Sequence, residues 1–158
     1  LSSLGFEVIG WSRSPREVPG VTCLHGAEGL EEVLQRAQIL VLLLPATAQT
    51  DRLLSAERLA QMPRGAVIIN AGRGTLIDDA ALLAALDAGQ IGHATLDVFR
   101  TEPLPPEDPS WAHPKVTVTP HISAPTRPAT AARSVIQNIA RAERGEPLLH
   151  LVDRERGY

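Results

Sequence analysis

The chain has 158 residues and 44% hydrophobic content, room for one ordinary domain, but aromatics are only 3%, so its core must be built from Leu, Ile, Val and Ala. A net charge of −3 and scattered basic residues argue against nucleic acid or an anionic membrane surface as partners. The single cysteine, Cys23, excludes an internal disulfide and a multi-cysteine metal site, a usage that fits a reducing cytoplasm, and the longest apolar run, 39–46, holds a proline and is far too short to span a bilayer.

In chain order, Leu1-Ser2-Ser3-Leu4-Gly5 reads as the last turn of a helix stopped by Gly5. The chain starts without Met and without a basic leader, so the expectation is a piece of a longer protein, entered partway through a helix. Phe6 to Trp11 reads as a strand, Ser12 to Gly20 as a charged, proline-containing loop, and Val21 to Leu24 as a second short strand. Gly29 to Arg36 places Leu30, Val33 and Leu34 on one helical face. Ile39 to Leu44 has no alternation and reads as a strand buried on both faces, stopped by Pro45.

Thr50 to Met62 is read as helical, broken near Ser55. Ala66 to Ile69 is the next buried strand. Asp78 to Ala88 has Asp caps in its first turn, Leu82, Leu83 and Leu86 on one face, and Gly89 as its stop. His93 to Val98 is a strand, Thr101 to Pro114 a long loop with five prolines, and Val116 to Thr119 the last strand. Arg127 to Arg144 carries Val135, Ile136, Ile139 and Ala140 in helical register. Strands alternating with helices at this spacing predict βαβ units, a parallel sheet and helices on both of its faces.

Arg73, Glu102 and His121 each follow such a strand by a few residues. The carboxyl ends of parallel strands line one crevice, where ligands bind. A fixed cation, a carboxylate and a titratable imidazole converging there can grip an anion and move a proton. Taken singly, each has an ordinary reading: a solvated loop cation, a turn-capping carboxylate, a histidine bonded to backbone. The remaining histidines, His25, His93, His113 and His150, show neither i, i+4 spacing nor a neighbouring cysteine, so no metal site is expected. Cys23 reads as buried filler. Trp111 either walls the site or supports a subunit contact.

At Asn70-Ala71-Gly72-Arg73-Gly74-Thr75-Leu76-Ile77-Asp78, Asp97-Val98-Phe99-Arg100-Thr101-Glu102-Pro103 and Thr119-Pro120-His121-Ile122-Ser123, the chain resembles the D-isomer-specific 2-hydroxyacid dehydrogenases. Trp11-Ser12-Arg13-Ser14, the Leu43-Leu44-Pro45 turn and the tail 152–158 resemble the bacterial branch that reduces glyoxylate and hydroxypyruvate. The resemblance implies a Rossmann-like coenzyme domain over 1–122. It leaves the first strand and the Gly-x-Gly-x-x-Gly turn missing, and it sends a C-terminal helix and tail, 123–158, toward a substrate domain or partner subunit. It further implies hydride transfer to a small 2-oxo acid, with the parent protein a homodimer.

In that frame His121 is the proton donor, Glu102 fixes its tautomer, and Arg73 offers a planar fork to the substrate carboxylate. Asp97 is assigned the nicotinamide carboxamide, while Leu44, Pro45, Thr47, Ala71 and Gly72 run beneath the coenzyme, with Arg73 and His121 at its nicotinamide end. No acid follows the strand ending at Trp11; Ser12, Arg13 and Ser14, with Arg16 nearby, suit a 2′-phosphate, which favours NADP over NAD, and Trp11 is counted with them as coenzyme-binding. Three alternatives stay open: a dinucleotide-sensing corepressor-type relative without turnover, a dehydrogenase for another 2-hydroxy acid such as phosphoglycerate, and an assembly module with an exposed sheet edge.

Overall fold

A computed structural model describes residues 1–154. In chain order the elements are β1 (Ile9–Ser12), β2 (Thr22–His25), α1 (Gly26–Arg36), β3 (Ile39–Leu42), α2 (Ala56–Gln61), β4 (Ala66–Asn70), α3 (Asp79–Asp87), β5 (Ile91–Leu96), β6 (Val116–Val118) and α4 (Pro128–Glu143). Every pairing between these strands is parallel. They form two sheets, β1-β2 and β3-β4-β5-β6, and β1 is not hydrogen-bonded to β3.

The register fixes where the site falls. Leu42 pairs with Asn70, Asn70 with Leu96, and Leu96 with Val118, so the carboxyl ends of β3 to β6 form one row. Pro45, Arg73 and His121 each lie three residues beyond that row, and Asp97 lies one beyond it. The convergence anticipated at the strand ends is therefore built into the ladder.

The sequence explains the elements. Asp78 caps α3 by accepting from the Ala81 amide at 3.1 Å. Leu82 and Leu86 of α3 are fully buried, each contributing on the order of 2 kcal/mol of burial. Gly89, at φ 68°, ends that segment in the left-handed conformation a glycine adopts without strain. In α1, Leu30, Val33 and Leu34 face the core with Ile68 and Ile91 of the sheet. At the start of the chain a short 3-10 turn, Ser2–Leu4, is closed by Gly5 at φ 84°.

Two expectations need correction. β3 is not buried on both faces: Leu40 and Leu42 point inward, but Ile39 and Val41 are 54% and 43% exposed, and Leu43 lies beyond the strand. It is an edge of the four-stranded sheet. The helices α1, α2 and α3 pack against one another in sequence, and the side of β3 that carries Ile39 and Val41 is open. Finally, 50–54 is not helical; its backbone runs against 75–78, with Arg52 N donating to Thr75 O and Leu54 N to Leu76 O, so α2 begins only at Ala56.

The described helix α4 buries none of its residues, and Val135, Ile136 and Ile139 are all more than half exposed. Residues 155–158, the end of the tail whose resemblance was noted above, lie outside the described residues.

Candidate active site

The loop that carries Arg73 is held by Asn70, the buried last residue of β4. Its Nδ2 donates to Arg73 O at 3.0 Å and its Oδ1 accepts from Gly72 N at 3.1 Å. The amide side chain supplies both the donor and the acceptor from one planar group. Gly72 passes so close to the end of β3 that a Cβ would sit 3.0 Å from Leu44 O. Arg73 itself is exposed, with Nη1 donating to Gly72 O at 2.7 Å.

Across the crevice, Glu102 joins the β5 loop to the β6 loop. Its Oε1 accepts from Phe99 N at 2.9 Å, and its Oε2 lies 2.8 Å from Nδ1 of His121. The hydrogen bond with His121, followed by that from the Phe99 amide, holds the Glu102 carboxyl below its ordinary range, with a smaller pull from the Arg73 guanidinium. With Nδ1 committed to Glu102, Nε2 is the ring nitrogen available to a ligand. The His121 side chain is half exposed, so that nitrogen is reachable.

Asp97, directly after β5, is 3% exposed. Its Oδ1 accepts from Thr119 Oγ1 and from Ile122 N at 3.0 Å, and its Oδ2 from Ser123 N at 2.9 Å. Burial pushes the carboxyl up, but these bonds outweigh it and leave it well below the usual carboxylate range. Asp97 also lines the cleft that opens beside Glu102 and His121.

Beside Glu102 and His121 opens a cleft of about 480 Å³ whose apolar wall includes Phe99, Leu104, Trp111, Val118 and Pro120. Trp111 is fixed there by its indole N–H, which donates to Pro105 O at 2.8 Å. The residue is 53% exposed.

The residues anticipated on the coenzyme side form a second group. Trp11 is half-buried and spends its indole N–H on Gly26 O at 2.8 Å, which ties β1 to the start of α1. Ser12 Oγ donates to Ser14 O at 2.7 Å, closing the turn after β1. Arg13 Nη1 reaches Gln49 Oε1 at 3.4 Å, bringing that turn to the loop after β3. In that loop Thr50 Oγ1 donates to Pro45 O at 2.7 Å and accepts from Thr47 N at 2.9 Å, which fixes Pro45 and Thr47. Ala71 N donates to Leu42 O, continuing the ladder one residue past β4. Hydroxyls, amides and a guanidinium at the end of β1, with no carboxylate among residues 11–14, are a donor set that suits a phosphate.

Asn70, Thr50, Thr119 and Ser123 went without a role in the sequence reading. Asn70 was findable as the amide residue ahead of a tight Ala-Gly turn. The other three act through partners whose identity only the folded loops reveal. Among the described residues, no group of three or more His, Cys, Asp or Glu is placed to hold a metal ion, and no helix is long and apolar enough to cross a membrane.

A row of parallel strands with an arginine and a carboxylate-paired histidine beyond its carboxyl end, and a separate parallel pair whose turn carries phosphate-suited donors, is the arrangement of the class of nucleotide-binding α/β domains. Residues 1–123 match the family model described as the NAD binding domain of D-isomer specific 2-hydroxyacid dehydrogenases, and the chain belongs to that family. It is 48% identical over all 158 residues to glyoxylate/hydroxypyruvate reductase A of Salmonella newport, covering 51% of that protein. Among solved structures it is similar to a D-isomer specific 2-hydroxyacid dehydrogenase of Xanthobacter autotrophicus in complex with NADPH and MES. That likeness has 52% identity and a TM-score of 0.94, and covers 98% of this chain and 64% of the other. A further likeness is to the NADPH-dependent glyoxylate/hydroxypyruvate reductase of Sinorhizobium meliloti in complex with NADP and sulfate, with 44% identity, a TM-score of 0.94, and coverage of 99% of this chain and 51% of the other. The chain thus spans about half the length of the curated relatives it matches.

Proposed function

We propose that this chain supplies the coenzyme domain and the acid–base wall of an NADPH-dependent reductase that converts a small 2-oxo acid, of the glyoxylate or hydroxypyruvate type, to the D-2-hydroxy acid. The observation that carries the reading is the His121–Glu102 pair, 2.8 Å apart, across the strand ends from an exposed Arg73. Arg73 binds the substrate carboxylate through its planar fork and polarises the adjacent carbonyl. His121, protonated, gives the Nε2 proton to the carbonyl oxygen as it becomes a hydroxyl, and the neutral imidazole keeps its Nδ1 proton on Glu102. Bound nicotinamide supplies the hydride to the carbonyl carbon.

Ser12, Arg13 and Ser14 take the 2′-phosphate, and Leu44, Pro45, Thr47, Ala71 and Gly72 form the floor beneath the nucleotide. Trp11 acts behind this turn as its support. The NADPH and NADP bound in the similar structures named above support this choice over NAD. The coenzyme domain ends near residue 122, and α4 carries Val135, Ile136 and Ile139 to a surface of the substrate domain or of a second subunit in a cytoplasmic homodimer.

The test is turnover by the full-length protein that carries this chain, followed as NADPH oxidation with glyoxylate and hydroxypyruvate. His121→Ala should cut the turnover number by about 100-fold or more while leaving NADPH affinity nearly intact. Absence of turnover with any 2-oxo acid would sink the reading, and a large loss of NADPH affinity in His121→Ala would remove the residue from the acid's role.

A further inference from the structure

Three strand-end loops meet on one side chain. Arg100 lies one residue after Phe99, whose amide holds Glu102, and two residues before Glu102 itself. Its Nη1 donates to Asp51 Oδ1 at 3.0 Å, in the loop after β3, and its Nη2 to Thr75 O at 3.2 Å, in the loop after β4. Both targets lie beside residues of the site: Asp51 N donates to Thr47 O at 3.0 Å, and Thr75 follows Arg73 by two residues. Thr75 O also accepts from Arg52 N at 2.7 Å, so both acceptor positions of that carbonyl are spent on joining loops.

The backbones themselves touch at Gly74, where a Cβ would lie 2.3 Å from Arg100 N. That contact limits how close the loops come; the guanidinium supplies the bonds that keep them there. A planar fork can hold a carboxylate on one loop and a carbonyl on another at once, which the point charge of a lysine does less rigidly. The side chains of Arg100 and Asp51 are 36% and 46% exposed, so their pairing adds little to overall stability.

We propose that Arg100 is a positioning residue: anchored on Asp51, its guanidinium holds the loop of Glu102 against the loop of Arg73, and so fixes the spacing between the arginine that grips the substrate carboxylate and the His121–Glu102 pair that protonates the carbonyl. This rests on the proposed roles of Arg73 and His121. Both groups must reach one small 2-oxo acid together, and a displacement of about 1 Å between them is costly to turnover.

The experiment uses the full-length protein with Arg100→Met, Arg100→Lys, Asp51→Ala and the double variant of Arg100→Met with Asp51→Ala. Methionine keeps an apolar stem and removes both donors. Arg100→Met should lower the turnover number with glyoxylate by about fivefold to tenfold, with the NADPH dissociation constant within about twofold and the melting temperature within about 4 °C. Arg100→Lys, which keeps the charge and serves one acceptor at a time, should fall between wild type and Arg100→Met. Asp51→Ala should lose about twofold to threefold, and the double variant no more than Arg100→Met alone, because the two changes break one connection. Exchange of the Phe99 amide with solvent should accelerate by about fivefold in Arg100→Met, with the β4 amides unchanged.

Wild-type turnover and Phe99 exchange in Arg100→Met overturn the proposal. A double variant whose loss is the product of the single losses overturns it as well, since Arg100 would then act through a contact other than Asp51. Equal losses of turnover and NADPH affinity, with a melting temperature lowered by more than about 10 °C, make Arg100 a support of the fold alone and also sink the idea. If Arg100→Met does not fold, Arg100→Lys and Asp51→Ala decide: wild-type turnover and exchange in both count against the proposal. If wild type has no turnover with any 2-oxo acid, the proposed activity fails separately, and Phe99 exchange still decides whether Arg100 holds the loop.

Discussion

Nδ1 of His121 lies 2.8 Å from Oε2 of Glu102, and the other oxygen of that carboxylate accepts the Phe99 amide at 2.9 Å. The carboxylate is thus a two-sided clamp, anchored to the β5 loop on one oxygen and holding the imidazole with the other. Glu102→Gln retains the size and one acceptor but lets the amide flip a donor toward His121 or toward Phe99 N. Its turnover number should fall by about 10- to 100-fold, with KM for NADPH unchanged, because only the orientation and charge support of the acid is lost. Steady-state assay with both substrates varied checks this; an equal fall in coenzyme affinity would place Glu102 elsewhere.

The same clamp predicts a pH signature in stability. The folded-state carboxyl of Glu102 titrates below its ordinary value of 4.5. A group depressed on folding stabilises the fold at pH above its unfolded value and loses that contribution as pH falls through the folded value. The stability difference between wild type and Glu102→Gln should therefore be full at neutral pH and shrink below about 4.5, vanishing once the folded carboxyl is protonated. Urea unfolding of both proteins across that window measures it. A difference that stays constant with pH would mean the pair is absent in solution.

Several of these features were legible in the chain. Asp78 with Gly89 bracketed α3, and the apolar runs ahead of Arg73 and His121 located β4 and β6, so the convergence of charged groups at the strand ends followed from parallel topology alone. What periodicity could not supply was the identity of the neighbours. The run Ile39 to Leu44 looks alike whether one face or both are covered, and only the assembled sheet makes it an edge with Ile39 and Val41 exposed. The apolar spacing at Leu53 and Leu54 imitates a helix, but the backbone there is spent on Thr75 to Asp78. Asp97 finds its partners 22 to 26 residues away, beyond any local pattern.

The distance between the Arg73 loop and the Glu102 loop is set by a glycine. A Cβ on Gly74 would lie 1.9 Å from the Phe99 carbonyl carbon and 2.3 Å from Arg100 N, so the two backbones are in direct contact. Neither neighbour is a flexible side chain that can rotate away. Gly74→Ala should destabilise the fold by about 3 kcal/mol, toward the upper end of overpacking effects, and also reduce activity at pH values where the protein remains folded, because Arg73 is pushed away from His121. Gly10→Ala is the comparison: its Cβ would meet only the Val21 side chain, at 3.3 Å, and should cost well under about 1 kcal/mol. Thermal and urea unfolding of the pair separate the two cases, and equal stability for both variants would contradict the backbone contact.

In the proposed function, coenzyme choice turns on Arg13. It follows β1 in a turn closed by the Ser12 hydroxyl on Ser14 O, and its guanidinium reaches Gln49 in the loop after β3. A guanidinium bound to the 2′-phosphate contributes to NADPH and nothing comparable to NADH, which offers a 2′-hydroxyl instead. Arg13→Ala should therefore weaken NADPH binding by about 10-fold or more, the scale of a charge-assisted pair, and leave NADH binding within about twofold. Raising the salt concentration should erode the NADPH preference of wild type and barely affect the variant, since the lost term is electrostatic and partly exposed. Binding titrations with both coenzymes at two ionic strengths give all four numbers. A parallel loss for NADPH and NADH would show that Arg13 supports the fold of the turn and does not read the phosphate.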